Sequence, residues 1–119
     1  MKTITLFLTL LLFITLTSCV QKTYKKTVVF KLNTSNIGVI KKVGIKGKDK
    51  PFSWDYATKM KIIKKDSLYE LTTTFYTGYT FTEIKFMVND SLEFENQENR
   101  RVDFSQVDTT FYNATFNKR

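Results

Sequence analysis

The chain predicts an all-β fold, an immunoglobulin-like antiparallel β-sandwich of seven or eight strands. Three observations carry that reading. Apolar residues recur with period two in one segment after another, as they do when one face of a strand is buried. Turn chemistry separates these segments at short intervals. No stretch beyond residue 18 shows the sustained 3.6-residue period of an amphipathic helix. Residue usage agrees, with abundant aromatic, Val, Ile and Thr residues, one proline and four glycines.

The elements follow in order. Residues 27–32 place Val28, Phe30 and Leu32 on one face, and Asn33-Thr34-Ser35-Asn36 is a turn. Residues 39–47 place Val43 and Ile45 inward, with Lys42 and Lys46 in the opposite phase. A loop holding Pro51 and Trp54 runs to Asp55, and residues 59–62 alternate again. Residues 68–76 put Tyr69, Leu71, Thr73 and Phe75 on one face. After the Thr77-Gly78 turn, residues 80–89 set Thr82, Ile84, Phe86 and Val88 against Glu83, Lys85 and Met87. Asn89-Asp90 reads as a hairpin-like turn into residues 92–94, and two last strands lie near residues 101–104 and 109–116. Segments with one apolar face each stack as two sheets.

The first 18 residues differ in character. Lys2 is followed by an apolar run from Ile4 to Leu16 broken only by threonines, too short and too early for a spanning helix. Leu16-Thr17-Ser18-Cys19 then resembles the lipobox of bacterial lipoproteins, and Cys19 is the only cysteine of the chain. The alternative is an ordinary signal peptide in which Cys19 is incidental. The resemblance implies a diacylglyceryl group on the thiol, cleavage before Cys19 and acylation of the new amine. Two or three acyl chains exceed the threshold for stable anchoring, so the mature chain is expected to be held to membrane lipid through Cys19. Val20 stands where an inner-membrane retention signal carries Asp, and no acidic tract follows. That pattern favours an outer-membrane anchor facing the periplasm. The division is therefore a leader over 1–18, a lipidated tether over 19–26 and a domain over 27–119. Removing residues 1–18 of 119 leaves 101, enough for one core.

The formal charge of +8 becomes +7 once Lys2 is removed. Lysines gather at 22, 25 and 26, at 41, 42, 46, 48 and 50, and at 59, 61, 64 and 65. No nucleic-acid motif accompanies them, and an exported lipoprotein seldom meets such a partner. Solvated strand faces and protected edges account for most of them, and those near the anchor also suit anionic lipid headgroups.

One ordered set of signatures spans nearly the whole domain. It starts with Val43-Gly44-Ile45-Lys46-Gly47 and a loop ending Phe52-Ser53-Trp54-Asp55, followed by Met60. Ser67-Leu68-Tyr69-Glu70-Leu71-Thr72-Thr73-Thr74-Phe75, a turn at Gly78 and Ile84-Lys85-Phe86-Met87-Val88-Asn89-Asp90 come next. Leu92-Glu93-Phe94-Glu95-Asn96 and Asn99-Arg100 close it. Over residues 27–116 this order resembles the starch- and glycogen-binding modules of carbohydrate-binding families twenty and forty-eight. The resemblance implies an immunoglobulin-like sandwich that binds sugar by stacking. Trp54 falls at the first stacking tryptophan and Lys85 at a sugar-facing lysine. Asn113 falls near a polar ligand position that Phe111 could also occupy. Leu92 stands at the second stacking tryptophan and lacks a π-face, which weakens the implied site. Tyr76 or Tyr79 could substitute. Trp54 has a structural alternative as an aromatic plug closing one end of the sandwich, and Lys85 has one as an ordinary exposed strand lysine. Asn99 and Arg100 read as a turn and a charge pair with Glu95 or Glu98.

An enzyme is not expected. Without histidine there is no ready general base near neutral pH and no Ser–His pair. The thiol is assigned to lipid, and no cofactor or metal is implied. Glu93, Glu95 and Glu98 are the nearest acidic group, with Arg100 and Arg101 beside them. The expected partners are membrane lipid through Cys19 and a glycan, with an envelope protein as the alternative if the sandwich is an interaction or structural module. Asp66-Ser67-Leu68, Asp90-Ser91-Leu92 and Asp108-Thr109-Thr110 also resemble short O-glycosylation motifs of bacterial periplasmic proteins.

Overall fold

A computed structural model describes residues 22–119. The leader and Cys19 lie outside the described residues. Within them the fold is all-β, with no helix and nine strands in two sheets. The strands are β1 (Tyr24–Asn33), β2 (Val43–Gly47), β3 (Thr58–Lys59), β4 (Lys61–Lys64), β5 (Leu68–Thr77), β6 (Phe81–Val88), β7 (Ser91–Leu92), β8 (Arg100–Asp103) and β9 (Thr109–Thr115). The first sheet runs β4-β5-β1-β9. The second runs β3-β2-β6-β7, and β8 also pairs with β6.

The alternation read from the sequence sets the inner faces. Val28, Phe30 and Leu32 of β1 are fully buried, as are Ile84 and Phe86 of β6. Tyr69, Thr73 and Phe75 face the same interior from β5, with Val43 and Ile45 from β2. Aromatic rings join the two layers. Phe30 lies 5.7 Å from Phe52, 6.5 Å from Phe86 and 6.0 Å from Tyr112, centroid to centroid. Such tilted and edge contacts add about 0.5–1.5 kcal/mol each to the burial itself. All buried members of this cluster fall between Val28 and Phe116.

Three features depart from the sequence expectations. β1 begins at Tyr24, so residues 24–26 belong to the sheet and not to the tether, and Tyr24 pairs with Thr77. The alternating segment near residues 59–62 is split: β3 joins the second sheet, β4 joins the first, and the chain crosses between them at Met60. Met60 is 2 % exposed, and its amide donates to Val43 O at 2.9 Å. Finally, β9 lies parallel to β1, from Thr27↔Thr109 to Asn33↔Thr115, in an otherwise antiparallel arrangement. The hairpin between β6 and β7 is as expected. Asn89 and Asp90 both have positive φ (49° and 68°), the geometry of a two-residue turn that follows the twist of its strands.

Candidate functional site

The loop from β2 to β3 carries Trp54. Gly47 N donates to Ser53 O at 3.3 Å and Phe52 N to Asp49 O at 3.0 Å, which folds the loop back on itself. Asp55 N donates to Ser53 Oγ at 3.0 Å. The ring that enters the core from this loop is Phe52, 3 % exposed, and not Trp54. Phe52 stacks edge-on with Phe75 at 5.6 Å and fills the space a plug would fill. Trp54 keeps 39 % exposure, and Tyr56, two residues on, keeps 58 %.

A groove of about 360 Å³ lies on the outer face of the second sheet beside Tyr56. Its floor follows from register. Lys59 pairs with Gly44, Gly44 with Met87, and Met87 with Leu92, so these four form one row across the strands. Gly44 is required for the depth of this groove. A Cβ there would stand 2.9 Å from Ala57 Cβ and 3.0 Å from Thr58 O, closer than side chains tolerate. Lys42, Lys46 and Lys59 supply positive charge along the walls. Lys42 is paired with Asp90 at 2.6 Å in solvent. The arrangement suits a flat, partly apolar ligand with hydroxyl or anionic groups at its edge.

The four residues that the family resemblance singled out are not brought together. Leu92 lies at the end of the groove row and is 36 % exposed. Lys85 points outward, as its phase requires, but it is 7 % exposed. Its Nζ donates to Phe94 O and Gln97 O, both at 2.9 Å, beneath the segment that follows β7. The expectation of a lysine facing a sugar is therefore replaced by a lysine that holds a turn. Asn113 is exposed on β9, in register with Lys31, on the outer face of the first sheet. Strand order thus separates it from Leu92 and Lys85 by the thickness of the sandwich. Phe111, its alternative, lies on the same outer face and is 72 % exposed.

The charge pairing expected for Arg100 is also corrected. Its partner is Glu93, not Glu95 or Glu98. Nε donates to Glu93 Oε2 at 2.7 Å, and Nη2 donates to Oε1 at 2.8 Å. Nη2 also reaches Thr115 O and Lys118 O at 2.9 and 2.7 Å. Glu93, 0 % exposed, accepts from Phe86 N at 2.8 Å and Asn117 N at 3.2 Å as well. Burial alone pushes the Arg100 guanidinium down, but the hydrogen bond and charge of Glu93 outweigh it, with help from Tyr112, and raise it above its usual range. A group raised in the folded state contributes its stability in full below its unfolded value and loses it only as pH climbs past the folded one. Arg100 thus stays charged and paired throughout the neutral and moderately alkaline range.

This network is structural. Phe94, buried with φ of 50°, adopts a left-handed backbone that costs a bulky residue about 1–3 kcal/mol. Asn117 Oδ1 accepts from its amide at 2.9 Å, and Lys85 donates to its carbonyl. Sequence reasoning missed these roles because Glu93, Lys85 and Arg100 each carry a formal charge, the usual mark of a solvated position. Asn96 in this segment and Asn117 packed against it both adopt positive φ, and asparagine is the residue type that tolerates it. Among the described residues, no three His, Cys, Asp or Glu side chains gather as metal ligands. Of the three O-glycosylation-like motifs, Ser91 is exposed, whereas Ser67 and Thr109 are half-buried. No protein-family model matches the chain, and no curated protein sequence matches it.

Proposed function

We propose that the mature chain is a lipid-anchored, non-catalytic glycan-binding module of the cell envelope, facing the periplasm from the outer membrane, and that it receives sugar on the β2–β3 loop. The observation that carries this reading is the exposure of Trp54 in a loop whose core contact is made by Phe52. An indole held on a folded loop meets the C–H face of a pyranose with little loss of freedom. Tyr56 and the Gly44–Met87 groove supply a second apolar surface, and Lys46 and Lys59 offer donors to hydroxyls. The ligand class is an α-glucan or another envelope glycan. Leu92 contributes area rather than stacking, so affinity is expected to be modest. The absence of histidine supports a binding role over a catalytic one.

Affinity electrophoresis through gels containing amylose, glycogen and envelope glycans tests the reading. At least one glycan should retard the protein. Trp54→Ala should weaken retardation by about tenfold or more, equivalent to about 1.4 kcal/mol. Unchanged mobility in every gel, or retardation indifferent to Trp54→Ala, rejects it.

A second reading is favoured by a different observation. The edge strand β4, Lys61-Ile62-Ile63-Lys64, is exposed along its whole length, with Ile62 at 57 % and Ile63 at 49 %. An edge with neighbouring apolar side chains can accept a strand from a protein partner. Recovery of one stoichiometric envelope protein, abolished by Ile62→Lys, would support an interaction module instead.

A further inference from the structure

We infer that the end of the sandwich where β1 begins is a membrane-docking surface that rests on anionic phospholipid headgroups. The inference depends on the lipoprotein reading for its tether; it shares the β2–β3 loop with the sugar site, Lys50 serving one and Trp54 the other, and its test reads lipid rather than sugar. Four segments build this end: the start of β1, the β5–β6 turn, the loop around Asp49 and Lys50, and the loop before β9. They are fastened to one another. Tyr24 pairs with Thr77 and Lys25 with Tyr76. Phe104 N donates to Thr80 O at 2.8 Å, Thr82 Oγ1 to Asp49 Oδ2 at 2.7 Å, and Lys26 Nζ to Ser105 O at 2.9 Å.

What this end presents to solvent is unusual for a free surface. Tyr24 is 50 % exposed, Tyr79 61 %, Tyr76 74 % and Val107 68 %. Tyr79 is the link between them, lining one shallow cleft with Tyr24 and a second with Tyr76. Lys22, Lys25 and Lys50 are exposed around them, and Lys22 Nζ sits 5.5 Å from the Tyr24 ring centroid. Of the nearby acids, Asp49 is engaged by Thr82, Asp103 is exposed but paired with Arg101 at 2.8 Å, and Asp108 is exposed. Tyrosine with lysine is the side-chain chemistry of the bilayer interface: the ring sits at headgroup depth and the ammonium meets phosphate.

The length of chain outside the structure selects the occupant. Cys19 to Tyr24 is five residues, which reach at most about 18 Å when fully extended. A lipidated Cys19 sits below a headgroup layer several ångströms thick, about 5–8 Å on each side. The start of β1 is therefore confined to within about 10–13 Å of the charged surface, little more than one Debye length. At that range one lysine is worth about fivefold in partitioning to anionic lipid.

The test uses the chain from residue 19 with Cys19→Ser, which retains every core residue, and co-sedimentation with vesicles. Vesicles of equal parts phosphatidylglycerol and phosphatidylcholine should retain it, with loss at high salt, and phosphatidylcholine alone should not. The combined variant Lys22→Glu, Lys25→Glu, Lys50→Glu should lower retention about tenfold or more by charge. The combined variant Tyr24→Ala, Tyr76→Ala, Tyr79→Ala should also lower it severalfold, with thermal unfolding checking that each variant is folded. The control Lys61→Glu, Lys64→Glu, Lys65→Glu, with the same charge change on exposed lysines toward the opposite end of the first sheet, should alter retention less than about twofold. Equal loss in the control, or no retention of the parent by anionic vesicles, overturns the docking surface. Intact mass of the native protein separates the two layers of the argument. An unacylated Cys19 overturns the anchoring and this proposal with it. An acylated chain whose retention ignores the lysine and tyrosine variants overturns the docking alone.

Discussion

In the half of the sandwich that holds β7 and the start of β8, Glu93, Arg100 and Lys85 are buried, and each charge is satisfied by backbone or by its opposite. At the end where β1 begins, Tyr24, Tyr76 and Tyr79 stand in solvent with their lysine neighbours. The first region takes charges inward to hold a bent segment, and the second puts aromatic rings outward where the fold gains nothing from them. Buried charges that serve stability and the exposed rings assigned to a partner by the docking proposal are thus sorted by position along the strands. A charged residue is no guide to which group it belongs to.

That contrast makes graded predictions. Arg100→Ala leaves Glu93 buried without its counter-charge and frees the carbonyls of Thr115 and Lys118. Urea unfolding should show a loss of about 3–5 kcal/mol. If the variant is too unstable to purify, Arg100→Lys, which keeps charge but loses the two-pronged bond, should still show a large loss. A value near zero would place the network outside the cooperative core. Lys85→Met keeps the aliphatic stem and removes the two bonds to Phe94 O and Gln97 O. A smaller loss of about 1–3 kcal/mol is expected in the same assay. A glycan affinity that falls while stability holds would return Lys85 to the ligand site. Tyr76→Ser at the opposite end should change stability by no more than about 0.5 kcal/mol, with a melting temperature close to that of the parent. A large drop would mean that this ring is packed rather than offered.

Much of the fold was legible in the sequence because alternation is a local property. Val28-Val29-Phe30-Lys31-Leu32 and Thr82 to Val88 declare their buried faces without reference to anything distant. Partner choice is not local. Nothing within β9 says that it lies parallel to β1, and nothing near Met60 says that the chain changes sheets there. The candidate site suffered for the same reason. Trp54, left open between a ligand position and a plug, proved exposed, as did Leu92, but Asn113 fell on the opposite sheet, because its place depends on strand order. Lys85 was found as outward-pointing, and only the later segment 93–99, folding over it, turns outward into buried. Tyr56 escaped notice because one tyrosine in a loop has no pattern to belong to.

The parallel pairing of β1 with β9 has a mechanical consequence. Parallel neighbours start at the same end, so the chain enters at Tyr24 and β9 finishes at Thr115, at the far end of the same pair of strands. A pull between that entry and the far end runs along the strands, across the direction of their hydrogen bonds. The bonds between β1 and its two neighbours are then loaded together in shear, not opened one at a time like a zip. On the proposed anchoring, β1 is both the strand nearest the lipid and the one best placed to bear such a load.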